Sequence, residues 1–75
     1  MEPSALFLET LQLAESGDPK KQYEVAMMYF NGEEVEEDID ACLEWMHRSY
    51  DQGFEWAKEF LEDFYFDDEI GRAHV

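Results

Sequence analysis

Sliding this sequence against itself by 36 positions lays Gly17 on Gly53, Val25 on Leu61, Met28 on Phe64 and Tyr29 on Tyr65. In the same register Ser16 falls on Gln52 and Lys21 on Ala57. The main coincidences have structural reasons. Glycine can end a helix in the left-handed conformation, and large apolar groups one turn apart can face a common core. A period of this length marks stacked helix pairs, in which no unit buries both of its faces alone. The 75 residues hold one full unit, Gly17–Gln52, with half a unit on either side as caps.

Local signals fit that frame. Pro3-Ser4 starts a first helix that runs to about Ser16, with Leu8 and Leu11, and Leu6 and Ala14 beside them, expected inward. Gly17 suits the position after that helix, and Asp18-Pro19 restarts the chain as an N-cap and first-turn pair. The second helix is expected over Pro19 to about Asn31, burying Val25, Ala26, Met28 and Tyr29. In the acidic loop Glu33–Glu37 only Val35 is apolar, and it reads as a plug into the core. Asp38 caps a third helix whose inward stripe is Ala41, Cys42, Trp45, Met46 and Ser49. Gly53 ends it. A fourth helix from about Phe54 to Phe66 presents Ala57, Leu61, Phe64 and Tyr65 on one side, and residues 67–75 form an acidic tail. No segment alternates cleanly as a strand would. The expected fold is all-α: a short α/α solenoid of antiparallel helix hairpins, about four helices, forming one domain over 1–75 with its core in 13–66.

The run Gly17-Asp18, Gln22-Tyr23, Ala26, Met28-Tyr29, Gly32, Val35, Asp38, Ala41, Trp45, Gln52-Gly53, Ala57, Leu61 and Tyr65 resembles the Sel-one-like repeat, a relative of the tetratricopeptide repeat. The resemblance spans roughly Leu13–Tyr65. It implies a helical scaffold for protein–protein interaction in which the first helix of each unit lines the concave side. The chain departs from the pattern at Lys21, where the family favours Ala, at Glu34, where it favours a second Gly, and at Asp68, where the next loop Gly would fall.

Composition narrows the class of action. With one cysteine, Cys42, an internal disulfide is impossible. A chain of this size buries only about 60% of its unfolded surface, so it must rely on packing. Its supply is good: 16% aromatic and 45% hydrophobic residues. Twenty Asp and Glu against five Lys and Arg give a net charge of -15, which repels phosphate backbones and anionic membranes. Direct nucleic-acid and membrane binding are therefore not expected, and a basic protein is the natural electrostatic complement. No basic residue precedes Lys20, and the apolar run Ala5–Leu8 is too short for a signal-peptide core. With a lone thiol, a cytoplasmic location is the expectation.

Candidate chemistry is sparse. Five residues apart on a helix, Cys42 and His47 point about 140° away from each other, so the imidazole cannot serve the thiol. His74 has no partner in sequence. Glu33, Glu34, Glu36, Glu37, Asp38 and Asp40 crowd one loop and helix start without the ligand spacing of a calcium loop, and acids there favour the helix dipole. No catalytic, metal or cofactor site is expected. Trp56 and Phe60 stand apart, because the 36-residue offset matches them to Lys20 and Glu24, positions expected to face outward. Large aromatics beside charge suit a binding anchor, and the alternative is that the C-terminal tail or a second copy of the chain covers them. The candidate partner-binding set is Glu24 and Met27 on one helix, and Trp56, Phe60, Asp63 and Asp67 on its equivalent. The expected function is a non-catalytic adaptor that holds a protein segment, with a homodimer as a further expectation. The rival reading is an acidic inhibitor or nucleic-acid mimic that blocks a basic site on its partner.

Overall fold

A computed structural model describes the backbone of residues 2–73 and the side chains of residues 2–65. Four helices follow in order: α1 Ala5–Glu15, α2 Pro19–Asn31, α3 Ile39–Asp51 and α4 Glu55–Ala73. The first three starts are capped by short polar side chains, which accept from amides that have no carbonyl partner within the helix. Ser4 Oγ accepts from the Phe7 amide at 3.1 Å. Asp18 Oδ1 takes the Lys20 and Lys21 amides at 2.9 and 3.2 Å, and Asp38 Oδ1 takes that of Ala41 at 3.1 Å. Gly17 and Gly53, which follow α1 and α3, have φ of 110° and 84°, values that strain any residue bearing a Cβ. Helices α2 and α4 begin 36 residues apart (19 and 55), and α1 and α3 end 36 apart (15 and 51).

Each helix packs on the next: α1 on α2, α2 on α3, α3 on α4. Hydrogen bonds fix the directions. The Ser4 amide donates to the Glu34 carbonyl at 2.8 Å, which ties the start of α1 to the loop after α2. At the other end Gln22 Nε2 donates to the Ala14 carbonyl at 3.0 Å, and Ser49 Oγ donates to the Pro19 carbonyl at 2.8 Å. Gln52 Nε2 reaches Gln22 Oε1 at 2.8 Å and closes the network across α2 and α3. Successive helices therefore run antiparallel. The buried polar groups Thr10, Gln22 and Ser49 each have a partner, as the cost of burying an unpaired amide or hydroxyl requires.

The core comprises Phe7, Ala14, Val25, Ala26, Val35, Cys42, Trp45, Met46, Ala57 and Leu61. Val35 does plug in from the acidic loop. The Phe7 ring meets Tyr29 edge-on at 5.2 Å, a geometry that adds about 0.5–1.5 kcal/mol beyond area burial. Arg48 lies 4.6 Å above Trp45 and pairs with Glu44 at 3.0 Å, which covers the outer side of that indole.

Three expectations need correction. The inward face of α1 is Phe7, Thr10, Leu11 and Ala14, whereas Leu6 and Leu8 are about half exposed. Phe7 carries more apolar surface than either leucine, and its contact with Tyr29 sets the rotation of the helix. Tyr65 is 46% exposed; its hydroxyl lies 3.1 Å from His47 Nε2, so the phenol stays at the rim where its polar end is satisfied. Finally, α4 continues through the expected tail to Ala73, because nothing between Phe66 and Ala73 breaks a helix except Gly71. The loop before α3 holds one further feature. Glu34 adopts φ 68°, the left-handed region, at the position where the resembled repeat would carry glycine.

Candidate interaction face

Helices α2 and α4 lie side by side along one face, and their facing flanks are aromatic. On α2 the positions Tyr23, Met27 and Phe30 follow the i, i+4, i+7 spacing of a single stripe. On α4 Trp56, Phe60 and Phe64 follow i, i+4, i+8, with Phe54 just before the helix. The rings meet in two groups. Tyr23, Phe54 and Trp56 form a triad with centroids 5.6, 5.7 and 5.9 Å apart. Phe30 meets Phe60 edge-on at 5.2 Å, and Phe60 stacks on Phe64 at 6.1 Å. The result is a nearly continuous apolar strip from the start of α4 to its middle.

Of the expected set, Trp56 projects well into solvent, at 57% exposure. Phe60 is less open to solvent than expected: it is half-buried, because α2 brings Phe30 against it. Met27 lies between the two ring groups, packed against the core. Glu24 sits on the strip's edge and pairs with Lys21 at 3.2 Å, an i, i+3 pair at intermediate exposure that contributes only a few tenths of a kcal/mol. Asp63 is exposed beside Phe60 and Phe64. The side chain of Asp67 lies outside the described residues.

Tyr23, Phe30 and Phe54 belong to the face and were not picked out from sequence. The stripe 23, 27, 30 was available as a pattern. It was hidden because these positions flank the true core stripe of α2 and look like part of it.

A second feature lies on the other side of α4. His47, Tyr50 and Asp51 of α3 with Leu61, Glu62 and Tyr65 of α4 line an open hollow of about 360 Å³, walled mainly by apolar atoms. Burial pushes the Cys42 thiol up to about 11, so it stays protonated at neutral pH, and the residue is wholly enclosed. Burial, then the charges of Asp38 and Glu44, raise the Tyr29 phenol above its ordinary value. Among the described residues no three His, Cys, Asp or Glu side chains are grouped to hold a metal ion, and no helix is long and apolar enough to cross a membrane.

Comparison with known proteins found no matching family model, no matching curated protein and no matching solved structure.

Proposed function

We propose that the chain is a Sel-one-like interaction module, without catalytic activity, that holds a basic, partly apolar protein segment along the aromatic strip of α2 and α4. The observation that carries this reading is the strip itself: Tyr23, Phe54 and Trp56 in mutual contact, with the indole more than half exposed. Aromatic side chains are rigid and offer large contact area at low entropic cost, which is why they dominate the energetics of interfaces. The strip is set in a chain of net charge -15, with Glu55, Glu59 and Asp63 exposed on α4 nearby. Those carboxylates favour Lys and Arg in the bound segment and speed its encounter. Arg in particular can stack on Trp56 or Tyr23 while meeting a carboxylate. A cytoplasmic location accompanies this reading, because the lone thiol suits a reducing compartment.

The test is a displayed library of short peptides sorted by net charge and scored for retention on the wild-type chain and on Trp56→Ala/Phe60→Ala. The reading predicts enrichment of peptides that combine Arg or Lys with Leu or aromatic residues, and a loss of about tenfold or more in affinity for the double variant. Equal retention by both chains overturns the assigned face. Binding to basic proteins that collapses with salt yet ignores the double variant belongs to the acidic-mimic reading.

A further inference from the structure

The six residues around the α3–α4 hollow have a counterpart set 36 residues earlier. His47, Tyr50, Asp51, Leu61, Glu62 and Tyr65 map onto Leu11, Ala14, Glu15, Val25, Ala26 and Tyr29. At the earlier location Ala14, Val25 and Ala26 are wholly buried, in a core that α3 completes by packing on α2. At the later location Tyr50 is 43% and Tyr65 46% exposed. The hollow is therefore the seat that a helix equivalent to α3 would fill.

The chain itself carries such a helix. α3 enters its seat with Cys42 and Ser49, both at 0% exposure, and Ser49 bonds to the first residue of α2. The same offset assigns those roles in α1 to Leu6 and Leu13. Seven residues apart, these two lie within roughly 20° of each other on the helix. They are 55% and 46% exposed, and they flank the stripe that α1 turns toward α2. Among the described residues, one apolar helix flank is open at one end of the stack, and its matching seat is open at the other.

We infer that copies of this chain associate head to tail, the Leu6–Leu13 flank of α1 in one copy seating in the His47–Tyr65 hollow between α3 and α4 of the next. Leu6 then rests against Glu62 and Tyr65, and Leu13 lies toward the start of α4, as Cys42 and Ser49 do on α2. The contact joins unlike surfaces, so it leaves a free end after every addition and builds short open rows rather than a closed dimer. Repeating the stack also places the α2–α4 aromatic strips of successive copies in line. Charge opposes the association: Glu9 lies between the two leucines, Asp51 and Glu62 edge the hollow, and each copy carries -15. Screening by salt relieves that repulsion, so the rows lengthen as salt rises.

The experiment is sedimentation velocity on the full chain from micromolar to millimolar concentration, at low and at high NaCl. The inference predicts an average mass that climbs with concentration past two chains without a plateau, and climbs further at high salt. Leu6→Glu/Leu13→Glu blocks the head and Tyr50→Glu blocks the tail, so each alone stays monomeric. Mixed, they form a two-chain species and nothing larger, because one open head meets one open tail. Leu6→Ala/Leu13→Ala serves as the head variant if glutamates cost folding, with helix content checked by circular dichroism. A wild type that stays monomeric throughout overturns the inference. A mixture that stays monomeric does so too, as does a self-association that Trp56→Ala abolishes, which would move the contact to the aromatic strip.

Discussion

The seam between α1 and α2 and the seam between α3 and α4 are built from positions 36 residues apart, yet their states differ. In the first, Ala14, Val25 and Ala26 are sealed, and α3 supplies Cys42, Met46 and Ser49 to the same core, all at 0% exposure. In the second, Ala57 and Leu61 are buried but the Tyr50 and Tyr65 rings remain at the surface around a hollow. The lesson is that a helix pair in a stack is finished by the helix after it. Sequence equivalence places the apolar groups, and the presence or absence of a covering neighbour decides whether they become core.

Substitutions can break or sharpen that contrast. The largest effect belongs to the sealed side. Met46→Ala removes a wholly buried side chain and should cost about 2–5 kcal/mol, seen as a large fall in the urea midpoint or loss of the cooperative transition. A change smaller than about 1 kcal/mol would mean that the first seam is no tighter than the second. Next comes Asp18→Ala, which strips the cap from the Lys20 and Lys21 amides at the start of α2. It should cost about 1 kcal/mol by the same measurement. Glu34→Gly runs in the other direction. It releases a side chain from left-handed backbone and should stabilise by about 0.5–1 kcal/mol, the strain relief exceeding the added freedom of the unfolded chain. The smallest effect belongs to the open side: Tyr50→Ala should shift stability by no more than about 0.5 kcal/mol.

The sealed side also responds to pH. The Cys42 thiol, raised by burial from 9.0 to about 11, is protonated in the folded chain where the unfolded chain has begun to lose its proton. Its share of stability is whole below pH 9 and drains away as pH rises toward 11. The Tyr29 phenol, also raised, acts in the same sense. Urea titrations at pH 8 and pH 10.5 should show the wild type losing more stability than Cys42→Ala across that interval. An equal loss in both would remove the thiol from the account. Native Cys42 should also resist alkylation at neutral pH until the chain is unfolded.

Much of the fold was legible because its signals were chemically specific. Asp18-Pro19 and Asp38 marked helix starts, glycines marked ends, and the α3 stripe had a single sensible phase. The rotation of α1 was not legible. Leu6, Phe7, Leu8 and Leu11 surround much of that helix with apolar groups, so periodicity alone cannot choose a face, and the Phe7–Tyr29 contact does. The length of α4 was missed for the opposite reason, since its later residues show no stripe and helix continuation depends on the backbone rather than on pattern. At the candidate face the sequence pointed to Trp56 and Phe60 through their register. It could not show Tyr23 and Phe30 closing on them, because those contacts cross between helices far apart in the chain.

Amide hydrogen exchange followed by NMR tests the contrast between sealed and open seams most directly. If neighbours complete the core as described, amides within α2 and α3 exchange only through global unfolding, at the slowest rates in the chain. Those from Ala57 to Tyr65 in α4 then exchange through a smaller opening that leaves α2 and α3 protected. Equal protection across Ala57–Tyr65 and the centres of α2 and α3, in dilute monomeric chain, would contradict it.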